Sequence, residues 1–325
     1  MNYKTIGDLK VSALGVGCWA MGGTWNNILE IDSLDTVHKA LDLGINFFDT
    51  APIYGKGHSE TVMGKALKGI PRDKVVIATK CGLPWHPETR KSRKDLSAES
   101  IFKEIDDSLR RLRVDHIDLY QVHWPDPNTP IQETAEALKE IQKQGKVRHI
   151  GVSNYSLDMT REMMKTVEVV SFQGLYNLIE QNPEHYHNIP LEYRAREEVL
   201  PFCRTNNMKY VPYSPLMQGL LTGAFNEKNN FDENDDRKAN PKLNGEAFKV
   251  YYECAQKLKS LASQYDVSLA HLAIQWLVAQ DDVGPVIAGA HHPSHVMHNV
   301  EFASKVLPEE ALRKAENIVL ESGVS

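Results

Sequence analysis

Four polar residues of this chain sit at or near the points where apolar segments stop, and their types suit one chemistry. Asp49 ends Ile45-Asn46-Phe47-Phe48, Lys80 ends Val75-Val76-Ile77-Ala78-Thr79, and His123 ends Ile117-Asp118-Leu119-Tyr120-Gln121-Val122. Tyr54 follows shortly after Asp49. Tyrosine titrates near pH ~10, too high for fast acid–base work at neutral pH. A lysine ammonium alongside would stabilise the phenolate and lower that value. Asp49 can hold the lysine in place, and a histidine can hydrogen-bond a carbonyl oxygen. Such an assembly protonates a ketone or aldehyde oxygen while a hydride arrives at carbon. It contains no nucleophile suited to hydrolysis and no evident set of metal ligands.

Residues so far apart in sequence meet only if strands carry them together. Five further runs resemble the first three: Ala13-Leu14-Gly15-Val16-Gly17, His149–Val152 ending in Ser153-Asn154, and Val169–Phe172 ending in Gln173. The last two are Tyr210–Pro212 ending in Tyr213-Ser214, and Pro285–Ile287 ending in Ala288-Gly289-Ala290. Near-continuous apolar runs bounded by turn signals read as strands buried on both faces. Between them lie segments of helical period, such as Ile101, Ile105, Leu109, Leu112 and Ile131, Ala135, Leu138, Ile141. Ser97 suits an N-cap, and Arg110, Arg111 and Arg113 suit the far end of that helix. Gly44, Gly69 and Gly145 stand where left-handed C-terminal residues are wanted. Strand and helix therefore alternate, and eight parallel strands close into an α/β (β/α)8 TIM barrel whose strand ends share one mouth.

Ahead of the first barrel strand, Tyr3–Ile6 and Lys10–Ser12 flank Gly7-Asp8 and read as an N-terminal β-hairpin. No linker divides the chain, so residues 1–325 are expected to form one domain. The connections 81–97, 177–195 and 226–247 should overhang the mouth as long loops that shape substrate choice. Composition is globular, 42% apolar and 25% charged, with a net charge of −6. That charge gives no footing for nucleic acid, whose binders carry a basic face. No apolar stretch approaches the ~20 residues needed to cross a bilayer. The first residues hold no apolar core of signal-peptide length, so a cytoplasmic location is expected. Cys18, Cys81, Cys203 and Cys254 are widely spaced and read as reduced thiols.

Gly15-Val16-Gly17-Cys18-Trp19-Ala20 imitates the dinucleotide fingerprint of a Rossmann fold. That fingerprint needs a helix to begin within it. Here Met21-Gly22-Gly23-Thr24-Trp25-Asn26-Asn27 follows, which does not start one.

The chain resembles the aldo-keto reductases, in particular their long-loop bacterial and channel β-subunit-like branch. The resemblance is carried by Gly44–Ala51 with Tyr54-Gly55, Asp118-Leu119-Tyr120 with His123-Trp124-Pro125, and Gly145–Asn154. Tyr213-Ser214-Pro215-Leu216 with Gly219-Leu220-Leu221-Thr222-Gly223 resembles the branch's cofactor loop. It implies an NADP(H)-dependent oxidoreductase acting on small-molecule carbonyls or alcohols. Tyr54 would be the general acid or base, Lys80 would tune it, Asp49 would pair with Lys80, and His123 would orient the carbonyl. Ser153, Asn154 and Gln173 match positions that grip the nicotinamide amide, and Tyr213 matches the residue stacked on its ring. Ser214, Pro215, Leu216, Gln218, Gly219 and Leu221 match positions along the pyrophosphate. Gly17, Cys18, Trp19, Asp49 and Gly289 complete the cofactor contacts. Trp19, Trp85 and Trp124, with Tyr54 and His123, are expected to wall the substrate pocket.

The chain departs from the family pattern at Ala290–Asn299. Pro293 suits the first position of a helix. Just before it and on its first turn, His291 and His295 replace the Lys or Arg expected to clamp the 2′-phosphate. His298 replaces an acidic residue that contacts adenine, while Asn299 keeps the pattern. Neutral histidine is a poorer phosphate partner than guanidinium. NADP(H) is therefore expected with weakened discrimination, so that NAD(H) is also admitted and NADPH binds more tightly at lower pH. His291 and His295 also have the spacing of a metal pair, but Pro293 lies between them and no cysteine is near, so no metal is assigned. Two other classes compete with the reductase. A cofactor-binding regulatory subunit would keep the same four residues. A carboxylate-pair hydrolase would need a second acidic strand end, and among these ends only Asp49 is acidic. The overhanging polar residues Asn177, His185, His187 and Tyr193 suit a small hydroxylated carbonyl such as a sugar. The sequence does not specify the oligomeric state.

Overall fold

The computed structural model describes residues 1–23, 28–227, 231 and 235–324. Thr24-Trp25-Asn26-Asn27, read above as unable to start a helix, lie outside the described residues. The hairpin strands β1 (Tyr3–Ile6) and β2 (Leu9–Ser12) pair antiparallel, as the Gly7-Asp8 turn requires. Eight parallel strands then close a barrel: β3 (Leu14–Gly17), β4 (Phe47–Asp49), β5 (Val76–Cys81), β6 (Ile117–Val122), β7 (Val147–Ser153), β8 (Val169–Leu175), β11 (Lys209–Tyr213) and β12 (Val286–Gly289). Between β8 and β11, the two-residue strands β9 (His185–Tyr186) and β10 (Ile189–Pro190) form a small hairpin in the 177–195 connection. All eight expected barrel strands are present in the expected order.

Around the barrel run α1 (Glu30–Asp42), α2 (His58–Ala66), α3 (Ala98–Leu112), α4 (Ile131–Lys143), α5 (Leu157–Met164), α6 (Leu200–Thr205), α8 (Leu269–Val278) and α10 (Glu309–Ser322). Two helices, α7 (Gly245–Gln264) and α9 (Pro293–Asn299), are added within connections. The capping reads as anticipated for α3: the Ser97 side chain accepts a hydrogen bond from the Ser100 N–H, and Arg113 ends the helix in a left-handed conformation. Segment 226–247 is less loop-like than its composition suggested. Its described residues wind into short turns at Asp236–Ala239 and Pro241–Leu243, with Asn240 capping the second.

The barrel interior is divided into layers because strand side chains alternate with period two. Phe47, Val76, Ala78, Leu119, Val170, Val211 and Ile287 fill its lower part, and Ile6, Leu9 and Val11 of the hairpin pack into the same cluster. The hairpin is therefore the floor of the barrel. Two residues further along β4, β5 and β6, the same inward face carries Asp49, Lys80 and Gln121. An apolar layer thus supports a polar one.

Removing the hairpin's contribution should loosen the whole barrel. Ile6→Ala is expected to cost about 2–5 kcal/mol, as for other fully buried large-to-small changes, read as a lowered urea midpoint. An unchanged midpoint would contradict the role of the hairpin as floor.

Candidate active site

The polar layer is organised by Lys80, a fully buried side chain at the end of β5. Its Nζ donates to Asp49 Oδ1 at 2.6 Å, to the Thr50 carbonyl at 2.9 Å and to Tyr54 Oη at 3.3 Å. All three ammonium hydrogens thus have acceptors. Asp49 is equally occupied: its Oδ2 accepts from Gln173 Nε2 at 2.9 Å and from Gln121 Nε2 at 3.2 Å. A buried charge pair is tolerated only with such complete satisfaction.

Tyr54 comes from the turn between β4 and α2. Gly55 places it by a close approach of two backbones: a Cβ at Gly55, whose φ is +63°, would lie 2.0 Å from the Gly22 carbonyl oxygen. Only glycine fits there. The Tyr54 ring stands edge-on to the His123 imidazole, with centroids 5.8 Å apart. Burial pushes the Tyr54 hydroxyl well above the usual tyrosine value, and the Asp49 carboxylate adds to the shift. This corrects the expectation that Lys80 lowers it. The Lys80 hydrogen bond favours the phenolate, but burial and the Asp49 carboxylate outweigh it. Burial, then the Lys80 charge, hold His123 well below the usual imidazole value, so it is a neutral ring. A neutral imidazole can donate one N–H to a carbonyl oxygen without competing for the proton.

At the neighbouring strand ends, Asn154 adopts a left-handed conformation, φ 57°, and its side chain spans several partners. Its Nδ2 donates to Ser153 Oγ at 3.0 Å and to the His123 carbonyl at 3.3 Å. Its Oδ1 accepts from Tyr213 Oη at 2.9 Å. Ser153, Asn154, Gln173 and Tyr213 are therefore brought to the same end of the barrel as the Tyr54 group. Beyond β11, Ser214, Met217, Gln218 and Gly219 all have positive φ. The Met217 and Gly219 N–H groups close this turn on the Ser214 and Leu216 carbonyls, each at 2.9 Å. Gly289, at the end of β12, is exposed with open space where a Cβ would project. Asn299 Nδ2 reaches back to its carbonyl oxygen at 3.5 Å. His291 and His295 meet edge to face with ring centroids 4.5 Å apart, and His298 is exposed. Burial lowers both His291, to about 4, and His295, and neighbouring histidines lower them further.

Several expected positions are placed differently. Cys18 is buried with its Sγ against Met63 Sδ at 3.7 Å, on the helix side of β3, so its thiol does not reach the mouth. Gly17 pairs with Gly289 and Asp49 within the barrel wall, and Trp19 follows at the start of a short turn, half-buried. Pro215 and Leu221 are buried and pack, while Leu216 is only partly so. The Gln218 amide is taken up by His187 Nε2 and by Asn240 Nδ2, each at 2.8 Å. Asn177 and Tyr193 do not overhang the mouth. Asn177 Oδ1 accepts the N–H groups of Ile179 and Glu180, and Tyr193 Oη accepts the Leu175 N–H. Both are buried turn supports. Trp85 packs under the Arg111 guanidinium, and Trp124 lies 6.4 Å from the Tyr186 ring.

Two residues were missed. Gln121 stands two positions before His123 on the inward face of β6, a spacing that alternation alone would have exposed. Tyr186 meets Tyr213 edge-on at 5.4 Å from the β9–β10 hairpin, and no periodicity announces it.

The family model of the aldo/keto reductase family matches residues 13–319. The chain belongs to that family. It is 38% identical to the aldo-keto reductase YhdN of Bacillus subtilis, over all of this chain and 95% of that protein. It is 35% identical to an NADH-specific methylglyoxal reductase of Escherichia coli, over 90% of each. The solved structure of a glycerol dehydrogenase from Gluconobacter oxydans superimposes with a TM-score of 0.88 at 33% identity, covering 99% of this chain and 96% of that one. The chain is thus an oxidoreductase built on the family's barrel, and aldo/keto reductases use nicotinamide cofactors. No helix among the described residues is long and apolar enough to cross a membrane.

Breaking the buried pair from one side should be costly. Lys80→Met leaves Asp49 charged without its cation and is expected to lose about 3–5 kcal/mol of stability, measured by denaturant unfolding. Adding Asp49→Asn should restore part of that loss. A single variant as stable as the wild type would contradict the pairing.

Proposed function

We propose that this aldo/keto reductase reduces small, oxygen-rich aldehydes or ketones to alcohols with NADH or NADPH, and runs the reverse oxidation. The observation that carries this reading is the Lys80 ammonium bound at once to Asp49, Thr50 and Tyr54, with neutral His123 at the edge of the Tyr54 ring. His123 donates to the substrate carbonyl oxygen and orients it beside Tyr54 Oη. A nicotinamide held by Ser153, Gln173 and Tyr213 would supply the hydride, and with it the electron pair, for the carbonyl carbon. Tyr54 gives its proton to the oxygen as the alcohol forms, and the phenolate left behind regains a proton from solvent. Lys80 stabilises that transient phenolate through its hydrogen bond and otherwise fixes the hydroxyl in position.

The donor set supports a nicotinamide. Gln173 uses its Nε2 on Asp49 and Gln121, which leaves Oε1 for a carboxamide N–H, while Ser153, paired with Gln173 across the strands, offers a hydroxyl beside it. The Tyr213 ring is held by Asn154 and offers a stacking face. The turn after β11 is the segment that matches the family's pyrophosphate positions, and its left-handed residues give it a fixed shape. The histidines of α9 support weak discrimination between the two cofactors. The names of two relatives, a methylglyoxal reductase and a glycerol dehydrogenase, favour small oxygenated substrates.

An absorbance assay of NADH and NADPH oxidation against a panel of aldehydes tests the reading. Tyr54→Phe should lower kcat by about 10²–10⁴, with cofactor binding by fluorescence unchanged. Undiminished turnover in the variant would refute the role of Tyr54. No turnover by the wild type on any carbonyl, with tight cofactor retention, would instead indicate a regulatory subunit.

Cofactor choice should depend on pH. His291 is neutral until about pH 4 in the free protein. A 2′-phosphate nearby raises that value, so NADPH binding takes up a proton and tightens as pH falls. NADH lacks the phosphate and should show no such trend. An NADPH/NADH affinity ratio that stays equal from about pH 8.5 down to about pH 4.5 would rule the histidines out.

A further inference from the structure

Two cations at the mouth have no structural employment. Lys56 lies two residues beyond Tyr54, half-buried, and Arg90 sits in the turn of the 82–97 connection, exposed. Both belong to loops that leave carboxyl ends of neighbouring strands, β4 and β5. Among the described residues, no hydrogen bond or ion pair engages the side chain of either, whereas nearby Arg93 pairs with Asp95 and Arg111 with Glu60. Glu88, in the same turn as Arg90, pairs with neither.

Arg111 ties the two loops together. Its guanidinium lies 5.8 Å over the Trp85 ring, and its Cδ would be 2.8 Å from a Cβ on Gly57. Trp85 bridges to Ser92, and the enclosed turn is closed by His86 N–H to the Lys91 carbonyl and Arg90 N–H to the His86 carbonyl. Arg90 is thereby carried toward Lys56, whose ammonium is lowered by burial and then by the Arg90 charge. Lys56 and Arg90 both have left-handed backbones, φ 57° and 59°. Further along the same connection, Lys94 lies 5.9 Å over the Trp124 ring, directly after His123 in sequence. Unpaired like charges, one partly desolvated, destabilise the free protein and are relieved when an anion joins them.

We propose that Lys56 and Arg90 select carbonyl substrates that carry an anionic group, a carboxylate or a phosphate, held at this rim while the carbonyl meets Tyr54. The inference rests on the reductase reading and specifies its substrate class. In this arrangement the two cations bind and orient, and take no part in hydride or proton transfer.

Matched substrate pairs test it: glyceraldehyde 3-phosphate against glyceraldehyde, and succinic semialdehyde against butanal. The wild type should prefer the charged member of at least one pair, and the pair with the larger ratio identifies phosphate or carboxylate. The double variant Lys56→Gln/Arg90→Gln should lose about tenfold in kcat/KM on that charged member, mainly through KM, and less than about twofold on the neutral one. Raising salt from about 20 to 300 mM should weaken the wild type's preference and leave the variant's unchanged. Equal losses on both members of each pair, or a wild-type preference for the neutral ones, would overturn the proposal. Titration with succinate and glycerol 3-phosphate separates it from the reductase reading. Weaker binding to the double variant supports the anion site even if no carbonyl is turned over, and equal binding overturns it even if every aldehyde is reduced.

Discussion

Everything at the mouth depends on the Asp49–Lys80 pair. Both side chains are buried, and each is saturated: Lys80 by Asp49, Thr50 and Tyr54, Asp49 by Lys80, Gln121 and Gln173. Taking two such charges out of water costs several kcal/mol per ion, on the order of what their attraction returns. What the pair provides is fixed geometry. It joins β4, β5, β6 and β8 across the barrel and pins the Tyr54 hydroxyl to a single place. It also sets the electrostatics. Burial and the Asp49 carboxylate outweigh the Lys80 hydrogen bond at the phenol, so Tyr54 holds its proton.

The barrel makes this arrangement affordable by dividing its interior. Apolar residues of the strands and the N-terminal hairpin fill the lower layer, and polar ones two positions further on fill the upper layer. A parallel barrel turns every one of those upper positions toward one opening, so eight separated strand ends act as one site. The neutral His123 follows from the same burial, which disfavours its charged form before Lys80 disfavours it further.

Strand ends were the legible part of this molecule. Each barrel strand announced itself as an apolar run, and Asp49, Lys80, His123, Ser153, Asn154, Gln173 and Tyr213 all fall where those runs stop. Gln121 followed the same rule and needed only the period-two alternation to be found. Connections were less legible, because their side chains answer to contacts distant in sequence. Asn177 and Tyr193 look like exposed polar residues, yet both are consumed by backbone groups of the turn beyond β8 and of β8 itself. Cys18 sits at a matching position but on the helix-facing side of its strand. The direction of the Tyr54 shift was not legible because residue types reveal that a lysine is near, not how deeply the hydroxyl is buried.

His291 and the histidines of α9 are the groups proposed here for the cofactor's phosphate region, and Lys56 and Arg90 those proposed for the substrate's anionic end. Between them the protonated Tyr54 is the central claim, and ultraviolet difference titration of tyrosinate in wild type and Tyr54→Phe measures it directly. The two titrations should coincide up to and beyond about pH 10, the ordinary tyrosine value, because Tyr54 stays protonated there. An extra tyrosinate appearing in the wild type below that pH would show Lys80 outweighing burial at the phenol, and would contradict the account.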